Sequence, residues 1–154
     1  MNKKIFQNKQ VGERDRVKEM SYKLEMLLTK IYYDVEERDR ECIFSSKDYV
    51  NEIKSQIETA LNAGVDINCL GEVSCLNAIL EGCRYLPEIY RGIAVDLVSY
   101  VIDLGADVVS SGYIYENITP LEMTKRFKYD ERVAVLIKTA IKNQQLKTDD
   151  QKTL

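Results

Sequence analysis

Apolar residues recur at three- and four-residue steps along most of this chain, the spacing that lines one face of a helix. From Gly12 to Val35 the positions are Val17, Met20, Tyr22, Leu24, Leu27, Leu28, Ile31 and Tyr32, which predicts one long amphipathic helix. The charged run DVEERDRE at 34–41 reads as the solvated end of that helix and a loop. Ser45-Ser46-Lys47-Asp48 offers capping oxygens to a second stripe, Tyr49, Val50, Ile53, Ile57, Ala60 and Leu61, which stops at Gly64. A short helix is expected from Cys75 to about Cys83, with Pro87 breaking it or lying beyond it. The next stripe, Ile93, Leu97, Val98, Val101 and Ile102, ends at Gly105. Thr119-Pro120-Leu121-Glu122 then combines an N-capping hydroxyl, Pro in the first turn and Glu at the third position, and a last helix at about 130–142 carries Val133, Leu136, Ile137, Ala140 and Ile141. No segment alternates convincingly, so the expected class is all-α.

One phrase is written twice. Residues 60–68 read ALNAGVDIN and residues 101–108 read VIDLGADV, each a helical tail running into Gly, a small residue, Asp and a β-branched residue. With Thr119-Pro120-Leu121-Glu122, and with Ser74-Cys75-Leu76-Asn77 in the equivalent place before it, the chain resembles the ankyrin-repeat family, whose repeat of about 33 residues opens its first helix with Thr-Pro-Leu-His. Here Glu122 and Asn77 stand in place of the His, and Cys75 in place of the Pro. The spacing is also stretched, with 41 residues from Gly64 to Gly105, the surplus falling in CRYLPEIYRGI at 83–93. The resemblance implies a short solenoid of about three helix-turn-helix repeats, at about 12–68, 74–108 and 119–143, with irregular fingers and the long N-terminal helix opening the first repeat. Residues 1–11 would be an extension and 144–154 a flexible tail. An unrelated helical bundle is the competing architecture.

Proteins of that family bind other proteins through their fingers and through the concave face made by the first helices. The resemblance therefore implies Leu70, Glu72 and Val73 in one finger, and Tyr113, Ile114, Tyr115 and Glu116 in the next, as partner-binding candidates. Tyr85 and Tyr90 in the insertion join them, because Tyr is enriched at binding hot spots. For all four tyrosines the alternative is that the ring folds down to cover a neighbouring helix. The carboxylates Asp34, Glu36, Glu37, Asp39 and Glu41 could steer a basic partner.

Length and charge narrow the function classes. A chain of 154 residues fits one domain and needs no disulfide framework. A net charge of −3 argues against a general polyanion binder, since nucleic-acid affinity rests on clustered Lys and Arg. The charged N-terminal stretch does not read as a signal peptide and no run is apolar enough to span a bilayer, so a cytoplasmic protein, or one exported by a route without such a signal, is expected. Cys42, Cys69, Cys75 and Cys83 form no CxxC pair, and with no His in the chain they read as free thiols rather than metal ligands. The lack of His also removes the commonest nucleophile–base pairs, and no phosphate-binding glycine loop is present. The expectation is a non-catalytic protein-binding module with no cofactor, metal, nucleic-acid or membrane partner. An inhibitor or immunity-type protein that blocks one partner, such as a basic one, stands first. An adaptor or effector engaging a cellular or host protein is the alternative, with a self-associating structural module third.

Overall fold

The structure, a computed structural model, describes residues 3–42, 44–111 and 117–152, with side chains over 12–42, 44–111 and 117–151. Seven α-helices account for most of it: α1 (Lys3–Thr29), α2 (Ile31–Arg40), α3 (Ser46–Asn62), α4 (Cys75–Cys83), α5 (Gly92–Asp103), α6 (Pro120–Arg126) and α7 (Glu131–Lys152), with a single 3₁₀ turn at Glu88–Tyr90. Among the described residues there is no β-strand, only an isolated antiparallel bridge between Asp66 and Cys69. The chain is all-α.

Local signals set several helix ends. The side chains of Ser45, Ser74 and Thr119 accept from the backbone N–H of Asp48, Asn77 and Glu122 at 3.4, 3.1 and 3.2 Å, each satisfying a donor that the first turn leaves without an intrahelical partner. Helices α3 and α5 end in the same way. Gly64 (φ +104°) and Gly105 (φ +92°) take the left-handed conformation. Their N–H groups donate to Leu61 O and Ile102 O, while Val65 and Ala106, one residue on, donate to Ala60 O and Val101 O. This is the Schellman pattern, completed at both sites by buried apolar residues on either side of the Gly.

Four stretches differ from the sequence expectation. The helix expected as one piece over 12–35 is broken at Lys30, where the backbone leaves helical geometry (φ −102°, ψ 11°). The charged run beyond it is helical through Arg40 rather than a loop, with Asp34 in the first turn and Arg38 and Arg40 in the last, the arrangement that complements the helix dipole. Helix α1 starts at Lys3, and α7 continues to Lys152 through the segment expected to be a tail. Lys and Gln are good helix formers, so polarity there marks exposure and not loss of helix.

The principal packing pairs form a ladder. Helices α1, α4 and α6 contact one another in sequence, as do α3, α5 and α7, and the rungs are α1 with α3, α4 with α5 and α6 with α7. Helix α2 continues the first row and also packs on α4. Helix α4 is at the centre: every residue except Glu81 is buried. Its C-terminal carbonyls are met from elsewhere, as the Tyr129 hydroxyl donates to Leu80 O at 2.5 Å. It lies close against α1 and the start of α2 at Gly82, where a Cβ would lie 1.8 Å from the Leu28 carbonyl oxygen and 3.2 Å from the Ile31 Cβ. Backbone cannot yield there as a flexible side chain would. Gly82→Ala is expected to cost about 3 kcal/mol or more by forcing α1 and α4 apart. Gly12→Ala, placed in open helical space, should instead stabilise by up to about 1 kcal/mol. Chemical denaturation of the two variants checks both signs.

Candidate protein-binding surface

The connection after α3 is stitched from within. Asp66 Oδ1 accepts from Asn68 N at 2.9 Å, Cys75 N donates to Ile67 O at 2.8 Å, and Leu70 N donates to Val73 O at 2.9 Å around Gly71. This tight turn points Leu70 (0 % exposed) and Val73 (5 %) into the core beneath α4. Neither is presented to a partner, contrary to the expectation for a finger, because the turn reverses the chain and lays both apolar residues on its inner side. Of the three candidates here, only Glu72 is exposed. It lies near Glu25, whose carboxyl is pushed up by burial and by the Glu72 charge, against the opposing hydrogen bond from the Glu72 backbone. Tyr113, Ile114, Tyr115 and Glu116 fall outside the described residues.

The next connection is tied to the first. Asp107 N donates to Asn68 Oδ1 at 2.8 Å, and Asn77 Nδ2 donates to Ser110 O at 3.3 Å. Asp107 itself accepts from the backbone N–H of Val109 and Ser110 at 2.8 and 3.2 Å and from the Ser110 hydroxyl. Burial pushes its carboxyl up, but these donors outweigh it and hold the group below the ordinary value of 3.8.

The charged helix α2 is largely engaged within the chain. Arg38 makes a two-bond contact with Glu52 at 2.9 and 3.0 Å, and its guanidinium lies 5.0 Å from the Tyr49 ring centroid. Arg40 pairs with Glu36 at 2.6 Å. Asp34 accepts from the Tyr49 hydroxyl at 3.4 Å, and Asp39 accepts from the Tyr90 hydroxyl. Of the five carboxylates expected to steer a partner, Glu37 and Glu41 are the exposed ones with no such tie shown. Tyr90 is half-buried, stacked edge-on against Phe44 at 4.9 Å, so it fastens the 83–93 insertion to the turn between α2 and α3. Tyr85 does the opposite and stays 57 % exposed.

Tyr85 belongs to a row of rings that crosses the first row of helices. Tyr33 (68 % exposed) meets Tyr32 at 5.2 Å, Tyr32 meets Tyr85 at 6.1 Å, and Tyr85 meets Phe127 at 6.2 Å, all edge-to-face. The rings come from the start of α2, the residue pair after α4 and the end of α6. The Arg84 guanidinium lies 4.5 Å from the Tyr85 centroid and 5.1 Å from that of Phe127, and its Nε is 3.6 Å from Glu81. An open cleft of about 300 Å³ beside the row is lined by Arg84, Tyr85, Arg91, Arg126, Phe127 and Lys128. Sequence reasoning singled out Tyr85 but missed Tyr33 and Phe127. A signal was there: Arg84-Tyr85 and Arg126-Phe127 are the same dipeptide type, each at the exit of a short helix.

Among the described residues no group of three or more His, Cys, Asp or Glu side chains is placed to hold a metal, and no helix is long and apolar enough to cross a membrane. Compared with known proteins, the chain matches no protein-family model, no curated protein and no solved structure.

Two measurements test this geometry. Cys42 and Cys69 are exposed whereas Cys75 and Cys83 are buried, with burial raising the Cys75 thiol to about 12 and Cys83 in the same direction. A thiol reagent at neutral pH should therefore modify Cys42 and Cys69 quickly and the other pair only at the rate of unfolding. Asp107, with its folded-state value lowered, contributes stability that is complete above the ordinary value of 3.8 and is lost as pH falls through the lower folded value. Asp107→Asn should melt lower than the parent at neutral pH, and the gap should narrow in acid.

Proposed function

We propose that this chain is a short ankyrin-like solenoid that acts, without catalysis, as a protein-binding module occupying and blocking one protein partner. The ladder of helix pairs supports the solenoid reading, with α1/α2, α4 and α6 as the inner row and α3, α5 and α7 as the outer row. The paired helix exits at Gly64 and Gly105 support it too, as does Asn77, which stands where the family has His and reaches the following connection. Neighbouring units of such a stack bury each other's apolar faces, which fits a chain whose central helix is covered on nearly every side.

The observation that carries the binding function is the aromatic row from Tyr33 to Phe127. Tyr33 and Tyr85 are exposed in this row, with the half-buried Tyr32 and Phe127 bracing them from the core, and exposed large rings backed in this way are characteristic of interface anchors. Tyr33 and Tyr85 make few demands on the core, since both are mostly exposed. A partner recovered from the native source on the immobilised protein, then titrated by calorimetry, should bind with one-to-one stoichiometry. Tyr33→Ser with Tyr85→Ser should cost about 2 kcal/mol or more of affinity while the melting temperature stays within a few degrees of the parent. Unchanged affinity, or a melting loss large enough to account for the weaker binding, would sink the assignment of the row as the interface.

A further inference from the structure

We propose that the cleft beside the aromatic row takes an acidic peptide segment of a partner protein, the carboxylates seated on Arg91, Arg126 and Lys128 and an apolar neighbour packed on Tyr85. This rests on the protein-binding reading and names the chemistry of what binds. The overall charge of −3 hides a separation along the inner row. At the end where α4 and α6 begin, Glu25, Asp66, Glu72 and Glu122 carry negative charge. At the end where the same helices finish, the cleft is lined by four cations, Arg84, Arg91, Arg126 and Lys128, and by no carboxylate.

The four are not alike. Arg84 is held against Tyr85, Phe127 and Glu81, and Arg91 Nε donates to Leu86 O at 3.4 Å, so both guanidinium groups are fixed in place before anything binds. Arg126 and Lys128 are exposed at the rim. Fixed guanidinium groups lose little freedom on meeting a carboxylate and offer it paired donors. Rim cations add attraction at a distance. Of the carboxylates close by in sequence, Glu81 pairs with Arg84 and Asp130 makes a two-bond contact with Arg132 at 3.0 and 2.9 Å, while Glu88, in the turn between Leu86 and Arg91, is exposed but does not line the cleft. Lys125 and Arg126 also complement the C-terminal dipole of α6, but that role does not require Arg91 or Lys128, which lie outside the helix.

A nucleic acid fits less well than an acidic peptide. Its affinity would depend on neutralising a long run of phosphates, whereas this cleft offers four cations on a protein whose net charge is −3.

The test uses the full chain and a fluorescein-labelled peptide repeating Glu-Asp-Leu. Anisotropy should rise saturably, and the affinity should fall at least about tenfold between roughly 50 and 500 mM salt. Arg126→Gln with Lys128→Gln should weaken binding about tenfold at unchanged melting temperature, while Lys138→Gln with Lys142→Gln on α7 should leave it unchanged. A Lys-Lys-Leu peptide and oligo-dT should bind at least about tenfold more weakly. No saturable binding of the acidic peptide, an equal loss in the α7 variant, or equal binding of oligo-dT overturns the proposal. If the acidic peptide fails while a native partner is still lost with Tyr33→Ser and Tyr85→Ser, the protein-binding reading survives and the acidic ligand alone is wrong.

Discussion

The approach of α4 to α1 at Gly82 is the constraint on which the rest of the molecule depends. No side chain fits between that residue and the Leu28 carbonyl, so α4 and α1 pack with backbone close to backbone. The break at Lys30 falls two residues beyond that contact, and α2 leaves it to cover α4 further along. Tyr32 and Tyr33 sit in the first turn of α2, so the same break carries them beside Tyr85 at the end of α4. A larger residue at Gly82 would loosen the centre of the fold and separate the aromatic row in one step. Packing and surface are coupled there because α4 is buried against four other helices and any shift of it is felt by all of them.

Charge is organised by the same direction of the helices. Helix N-termini favour carboxylates and C-termini favour cations, and the inner row places Glu72 and Glu122 at one end and Arg84 and Arg126 at the other. The polar groups between connections serve a different purpose. Asn68 with Asp107, and Asn77 with Ser110, join segments far apart in sequence through single hydrogen bonds, holding the connections in register while the apolar residues beneath them close the core. Helix α2 shows how misleading a charged run can be: its acidic appearance is offset by Arg38 and Arg40 and by hydroxyls that reach Asp34 and Asp39.

What was legible in the sequence is what is decided over a few residues. Caps at Ser45, Ser74 and Thr119 and stops at Gly64 and Gly105 depend on hydrogen bonds that span one turn, so residue identity and spacing suffice to locate them, and with them the all-α class and the repeated helix exit. The tertiary structure alone decided the rest. Whether Leu70 and Val73 face a partner or the core depends on how the helices close the core around them, and whether DVEERDRE is a loop or a helix depends on what Tyr49, Glu52 and Tyr90 offer its side chains. The aromatic row is the extreme case. Tyr85 and Phe127 share an Arg-aromatic signature in the sequence, but their alignment with Tyr33 exists only because packing brings the ends of three helices together, and no local preference encodes an alignment that arises from the contact between them.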